Sequence, residues 1–158
     1  MMDLYVMATE LLAIVSGQLN GFGITLPAIQ YVAPGPMPAW DGEQITCHLV
    51  RSYEGSPISE ANFQMAGYAE HAAEFSICIV RATPVMTDLG IAPTPAQVRA
   101  SVIANMTDVA GLIRALETIK NKGLWVDHAT PFSIGPVLTQ GPEGGLVAVV
   151  GSLQVGVY

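Results

Sequence analysis

The chain has 158 residues, of which 51% are hydrophobic and 12% are charged, and its mean hydropathy is +0.44. This composition excludes a disordered chain and supplies enough apolar residues for the core of a single domain spanning residues 1–158. The formal net charge of -7, with six Lys and Arg in all and no basic run, argues against tight binding to nucleic acid phosphates.

The N-terminal segment is predicted to form a helix that begins after Asp3, which can cap it, and ends at Gly17. Its apolar residues recur at helical spacing: Leu4, Met7, Leu11 and Ile14 or Val15. After a glycine-containing turn, residues 29–32 are typical of a short extended piece. The prolines of the loop at 33–38 then exclude helix.

Two strands are predicted in the middle of the chain, over residues 44–52 and 72–82. Apolar and polar residues alternate in the first, which indicates a half-buried strand. The second is apolar on both faces, which indicates a central strand. Between them lies a long connection, residues 53–68, with a short helix around 59–66 as its one candidate element.

The strongest local signal predicts a long amphipathic helix over residues 94–121. Thr94 can cap it, Pro95 suits its first position, Gln97 completes a capping box and Gly123 is placed to end it. One apolar stripe is expected to face the rest of the protein: Val98, Val102, Met106, Val109, Ile113, Leu116 and Ile119. Gly111 is the weak point of this helix, because an interior glycine costs about 1 kcal/mol relative to alanine.

The C-terminal region is typical of a β-hairpin with strands over 132–140 and 146–158, with Pro142 at the second position of the turn and with glycines that allow the positive φ of a bulged turn. The order of elements predicts an α+β domain. In it, an antiparallel or mixed β-sheet is packed by the N-terminal helix and the long amphipathic helix, and the hairpin closes the chain.

Candidate catalytic and metal-binding groups are few. His48, His71 and His128 show no metal spacing and are interpreted as ordinary surface or loop histidines. Neither a cofactor nor a metal is expected. A small enzyme that uses His128 with Asp127 and Ser133 is the weakest alternative, because such groups converge only in space. Cys47 and Cys78 form no zinc or disulfide pattern, which fits a reducing compartment.

The apolar N-terminal segment lacks the features of a secretory signal, and no run of apolar residues is long enough to cross a bilayer, so a soluble, cytoplasmic chain is expected. Trp40 is expected either to anchor the proline-rich loop or to lie in an interface. Arg51 and Arg81 end two apolar strands, where the alternatives are simple exposure and ion pairs to a neighbouring subunit. The low charge content suggests that other subunits cover part of the surface.

The segments Tyr31-Val32-Ala33-Pro34-Gly35 and Pro38-Ala39-Trp40-Asp41-Gly42-Glu43-Gln44 resemble tail terminator proteins of long-tailed actinobacterial phages. The order of the remaining elements is similar, including the strand over 75–81, the long helix and the closing segment Gly141-Pro142-Glu143-Gly144-Gly145-Leu146. The likeness covers most of the chain but not the connection at 53–68, and it carries no catalytic signature.

The resemblance implies a structural virion protein: a homo-oligomeric ring, typically of six copies, that caps the tail tube, ends its elongation and joins the tail to the head-side connector. Its partners would be the tail tube protein and the connector or stopper protein, with DNA passing through the lumen without specific binding and no membrane involved. A head-tail stopper and a tail tube subunit are the alternatives. The candidate subunit interface comprises Pro34, Gly35, Trp40, Asp41, Arg51, Arg81 and Glu143.

Overall fold

The computed structural model describes residues 3–35, 41–57, 71–127 and 129–157. Within them the elements are α1 (Leu4–Gly21), β1 (Gln30–Ala33), β2 (Gln44–Glu54), β3 (His71–Ala82), α2 (Pro95–Lys122), β4 (Phe132–Glu143) and β5 (Leu146–Val157). The strands form a five-stranded sheet in the order β1-β2-β3-β5-β4. The strand β1 runs parallel to β2 and the other neighbours are antiparallel, so the predicted mixed α+β fold is confirmed, and β3 is central as predicted.

The core lies between one face of the sheet and the two helices. Because successive strand side chains point to opposite faces, the odd-numbered residues of β3, of β5 and of β2 up to Leu49 share the helix-facing side. That side contributes Ile45, Cys47, Phe75, Ile77, Ile79, Val149, Leu153 and Val155 to the main core. The helices cover it with Leu11, Val15 and Leu19 from α1 and with Leu112, Leu116 and Ile119 from α2.

Trp125, just beyond α2, closes this core at one end. Its ring makes edge-to-face contacts with Phe75 and Phe132, at centroid distances of 5.5 and 5.9 Å, and its indole N–H donates to the Met7 carbonyl over 3.1 Å. An indole N–H that is turned away from water needs such an acceptor. The loop after α2 therefore ties the start of α1 to the sheet.

The first helix is longer than predicted. Asp3 caps it by accepting from the amide of Tyr5 over 2.9 Å, as predicted, but the helix continues past Gly17 to Gly21. The prediction that Gly17 ends α1 is wrong because Leu19, in the following turn, is fully buried against the core. Burying such a side chain contributes about 2 kcal/mol, which exceeds the helix cost of one glycine.

Replacing Gly17 with alanine is expected to raise the free energy of unfolding by about 0.5–1 kcal/mol. Gly17 lies within α1, its φ is not positive, and an added Cβ would meet no atom within 4 Å. Chemical denaturation measures the change. The control is Gly111→Ala, where the new Cβ would lie 2.3 Å from Cδ1 of Ile24 and 3.1 Å from Cδ2 of Leu19, so the helix gain is lost to crowding. Equal gains at both positions would contradict this packing.

The C-terminal hairpin is confirmed, but its turn differs from the predicted one. Pro142 lies within β4, which extends to Glu143, and the turn consists of Gly144 and Gly145 with φ values of +56° and +75°. Two adjacent residues with positive φ are what a two-residue hairpin of primed type requires, and glycine adopts them without steric cost. The prediction for Pro142 is therefore wrong, because the glycine pair provides the tighter connection.

The long helix begins and ends as predicted. The Gln97 amide donates to the Thr94 hydroxyl over 3.3 Å, and the Thr94 amide donates to the Gln97 side chain over 2.8 Å, which completes the capping box. Gly123 ends the helix in the left-handed conformation. The predicted short helix at 59–66 lies outside the described residues, as do Trp40 and His128.

Candidate functional site

The helix α2 carries two different apolar faces. Its buried residues are Asp108, Gly111, Leu112, Ala115, Leu116 and Ile119. Of the stripe predicted to face the core, Leu116 and Ile119 are buried, but Val98, Val102, Met106 and Ile113 are 41–66% exposed. The prediction that this whole stripe packs inward is wrong. At about 100° per residue, the exposed stripe lies roughly a third of a turn away from the buried face.

The exposure of α2 follows from the length of its neighbours. The α1 segment ends at Gly21, and the chain beyond it reaches α2 at Gly111, where Ile24 packs. Before Asp108, α2 has no buried residue within the described chain. The first half of α2 therefore projects past the end of α1 with its apolar side chains in solvent.

The connecting segment, residues 83–94, adds further exposed apolar side chains. Val85, Met86, Leu89 and Ile91 are 55–87% exposed. The segment starts beside the β4–β5 turn, where the Thr83 amide donates to the Gly145 carbonyl over 2.8 Å, and its Thr83 hydroxyl lies 2.9 Å from that of Ser101 in α2. We call the following set the outer apolar patch: Val85, Met86, Leu89, Ile91, Val98, Val102, Ile103, Met106 and Ile113.

Ile103 and the four residues of the connecting segment were not among the candidates drawn from the sequence. The signal for them was present: four large apolar residues stand in a stretch punctuated by proline and glycine, where loops are ordinarily polar. Large exposed apolar groups that recur in one region mark interaction surfaces. That this stretch lies beside α2 is visible only in the structure.

An open groove of about 440 Å³ borders the outer apolar patch. It lies between Phe22 and Ile24 on one side and Ile103 and Met106 of α2 on the other, with Arg114 at its margin. The Arg114 guanidinium lies 4.1 Å from the centroid of the Phe22 ring, a cation–π contact. The groove can accept an apolar side chain and offers one positive charge beside it.

Arg81, one of the predicted interface residues, makes a tight ion pair within the chain. Its Nε and Nη2 donate to the two carboxylate oxygens of Asp108 over 2.5 and 2.9 Å, and Nη2 also donates to the Thr25 carbonyl over 2.9 Å. Asp108 is buried on the inner face of α2. These bonds raise the pKa of Arg81, which stays charged. Arg81 thus connects β3 to α2 and to the segment after α1. Its ion pair is made within the chain, to Asp108.

Arg51 also pairs within the chain. Its Nε donates to Glu74 of the neighbouring strand over 2.6 Å, and its guanidinium lies 5.3 Å from the Tyr53 ring centroid. The Arg51 side chain is 62% exposed, so this pair contributes little to stability. Its place in a subunit interface stays a prediction.

The other predicted interface residues fall at different places. Pro34 and Gly35 are exposed beyond the edge strand β1, and Trp40 lies outside the described residues. Asp41 and Glu143 are exposed at the end of the sheet that also holds Arg81, because Gln44 pairs with Val80 and Leu146 pairs with both Ala82 and Glu143. Arg51 lies toward the opposite end. The predicted residues therefore do not form one patch.

The sheet face away from the helices is polar at β2 yet buried. Gln44, Thr46 and His48 share this face, and the side chains of all three contain buried atoms that find no hydrogen-bond partner among the described residues. His48 is 1% exposed, so the interpretation of a surface histidine is wrong for this residue. Burial lowers the pKa of His48, and the nearby Gly35 backbone opposes this shift without forming a well-directed hydrogen bond. The folded protein therefore favours the neutral imidazole.

The free energy of unfolding is expected to fall as pH drops from 7 to 5. The unfolded chain binds a proton at His48 near pH 6.5, whereas the folded protein resists it, so stability is lost below that pH at up to about 1.4 kcal/mol per pH unit. Urea denaturation at each pH measures the slope. His48→Leu should flatten it. The matched control is His71→Leu, at an exposed position, which should leave the slope in place.

The groups considered for catalysis are engaged or scattered. The Asp127 carboxylate accepts from the amides of Ala129 and Thr130, each over 2.9 Å, and from the Thr130 hydroxyl, which is a turn motif. Among the described residues no group of three or more His, Cys, Asp and Glu is placed to hold a metal. Both cysteines are free, and burial raises the pKa of Cys47 to about 12 and of Cys78 to about 11, so neither is a ready thiolate.

The remaining findings concern membrane segments and similarity to known proteins. Neither helix in the described part of the chain is long and apolar enough to cross a membrane. No protein-family model and no curated protein matches the chain.

Proposed function

We propose that the chain is a structural subunit of a phage tail that assembles into a ring, caps the tail tube, ends its elongation and joins the tail to the head-side connector. The resemblance at residues 31–35 and 38–44 suggests this role. The observation that carries the proposal is the outer apolar patch, because a protein that works alone in water rarely exposes so many large apolar side chains on one helix and the segment that leads into it.

Composition supports the same proposal. Charged residues make up 12% of the chain, about half the usual share, although charge normally keeps the surface of a monomer soluble. A ring subunit has less free surface, because neighbouring copies cover two different patches of each one. Low charge and exposed apolar groups are then two consequences of one arrangement.

The edges of the sheet favour contacts through side chains. The strand β1 is short, with four residues, and β4 at the other edge contains Pro136 and Pro142 and two register shifts. Proline cannot donate to a neighbouring strand, and an irregular edge resists strand addition. A ring of such subunits is best held by packing of side chains, for which the outer apolar patch is a candidate.

The proposed assembly is a ring of six copies of the chain. Its partners are the tail tube protein and the head-tail connector or stopper protein. The ring would belong to the neck of the virion and be assembled in the host cytoplasm. DNA would pass through its lumen, and the net charge of -7 suggests carboxylates along that channel, which would repel the phosphates. A basic channel in the assembled ring would contradict this last point.

Two alternatives make different demands on the structure. A head-tail stopper or tail tube subunit is typically built as a β-barrel or sandwich, whereas this chain packs two helices on one face of an open sheet. The alternative of a small enzyme assigns a catalytic role to Asp127. The Asp127 carboxylate instead accepts three hydrogen bonds within a turn. Both observations favour the ring.

Disrupting the gene in a phage that encodes this chain, followed by electron microscopy of the lysate, tests the proposal. We expect tails of irregular length and unattached heads, with both defects reversed by the intact gene supplied from a plasmid. Unattached tails of regular length would indicate a stopper, and absence of tails would indicate a tube subunit. Normal virions would overturn the structural role.

A further inference from the structure

We propose that the sheet face away from the helices binds a row of ordered water molecules, held by the side chains of Gln44, Thr46 and His48. This inference is independent of the proposed ring, because it concerns the interior of one chain. The three residues alternate along β2 and project from the same face of the sheet. They are 3%, 0% and 1% exposed, so bulk solvent does not reach them.

Each of these side chains has hydrogen-bonding atoms that find no partner among the described residues. They are Nε2 of Gln44, Oγ1 of Thr46 and both ring nitrogens of His48. Leaving such an atom unpaired costs the free energy of removing it from water. Buried polar atoms in folded proteins are therefore almost always paired, either with protein groups or with ordered water. Four such atoms on one face of one strand indicate a bound hydrogen-bonding ligand.

The neighbouring strands do not supply the missing partners. Beside His48 lie Ala33 of β1 and Ser76 of β3. Ala33 has no hydrogen-bonding side chain, and the Ser76 hydroxyl donates to the Gly151 carbonyl over 3.4 Å. Two residues further along β3, Cys78 carries a thiol, which is a weak donor and a weak acceptor. These small side chains leave more room above the sheet than large apolar residues would, and that room suits small ligands.

The chemistry of the row matches water. The Tyr31 hydroxyl donates to Oε1 of Gln44 over 3.2 Å, which leaves the amide nitrogen as a donor. A hydroxyl both donates and accepts, and a neutral imidazole donates at one nitrogen and accepts at the other. Water is the smallest neutral ligand that does both. Successive side chains on one face of a strand are about 7 Å apart, and two hydrogen bonds to a shared water span about 5.5 Å. We expect one water between Gln44 and Thr46 and another between Thr46 and His48.

Thr46→Val tests the site, because valine has nearly the shape of threonine and lacks the hydroxyl. If water is bound, the variant loses hydrogen bonds of the folded protein, and the urea concentration at the midpoint of unfolding should fall. If the hydroxyl is unpaired in the folded protein, the same change removes a cost and the midpoint should rise. The matched control is Thr139→Val, at an exposed position on β4, which should leave the midpoint unchanged.

Nuclear Overhauser effects between water and the wild-type protein at neutral pH identify what pairs with the row. We expect signals from long-lived water at the Thr46 methyl group and at the carbon-bound ring protons of His48, with weaker signals at His48 in the valine variant. A lower midpoint together with these signals supports the inference. A higher midpoint would overturn it. So would the absence of water signals, since other protein groups would then be the partners of Thr46 and His48.

Discussion

Replacing Arg81 with leucine is expected to lower the free energy of unfolding by about 3–5 kcal/mol, the range for removing one partner of a buried ion pair. Asp108 is 2% exposed, and both of its oxygens accept from Arg81. Without the guanidinium, the Asp108 carboxylate remains on the buried face of α2 with no water to solvate it. Urea denaturation at neutral pH measures the change.

The reverse substitution gives the control for this prediction. In Asp108→Leu the Arg81 side chain, which is 21% exposed, can turn toward solvent and retains the Thr25 carbonyl, so the loss should be smaller. The double variant should be more stable than Arg81→Leu alone, because no buried charge is left unpaired. Equal losses in the two single variants, or a double variant equal to their sum, would show that the pair does not act as described.

Replacing Gly151 with valine is expected to cost about 3 kcal/mol, the upper end for overpacking a core. Gly151 lies in β5 directly beneath α2, and an added Cβ would be 2.8 Å from Cδ2 of Leu112 and 3.2 Å from Cδ1 of Leu116. Both leucines are fully buried, so the helix must move away from the sheet. Thermal and chemical denaturation measure the loss.

A double-mutant cycle with Leu112→Ala separates overpacking from other causes. The alanine alone is expected to cost about 2–5 kcal/mol by leaving a cavity. In that background the valine at 151 has room, so its added cost should be well below the cost in the wild type. Additive costs would mean that Gly151 is needed for strand geometry and not for the approach of α2.

Most elements were predictable from local patterns. The caps at Asp3, Thr94 and Gly123 are properties of a few neighbouring residues, as are the strand patterns of β2 and β3, and the structure confirms these elements. The half-burial predicted for β2 is wrong, because residues 44–48 are buried on both faces of the sheet. The errors also have local causes. Gly17 is a poor helix residue that tertiary burial of Leu19 outweighs, and Pro142 competes with a glycine pair better suited to the hairpin turn.

The orientation of α2 could not be predicted, because periodicity counts large apolar residues without saying what covers them. The buried face holds Gly111 and Ala115, small residues that let the helix approach its neighbours, and Asp108, whose burial depends on Arg81 from a distant strand. The more regular apolar stripe lies outside. A helix that packs on its own domain with one face and on a partner with another produces this pattern.

The same limit applies to the candidate site. Arg51 and Arg81 were identifiable as unusual charges at strand ends, but their partners Glu74 and Asp108 are 23 and 27 positions away along the chain. The burial of His48 depends on what covers the second face of the sheet, which strand alternation does not reveal. The outer apolar patch unites two stretches whose exposure is a property of the folded chain.

An electron microscopy reconstruction of the head-tail joint of the virion is the most direct measurement of the central claim, which is that this chain hides its exposed apolar surface against copies of itself. The account predicts a closed ring of this chain at the end of the tail tube, with Ile103 and Met106 of each copy buried against the next. A joint that lacks the chain, or one in which those side chains face solvent, would contradict it.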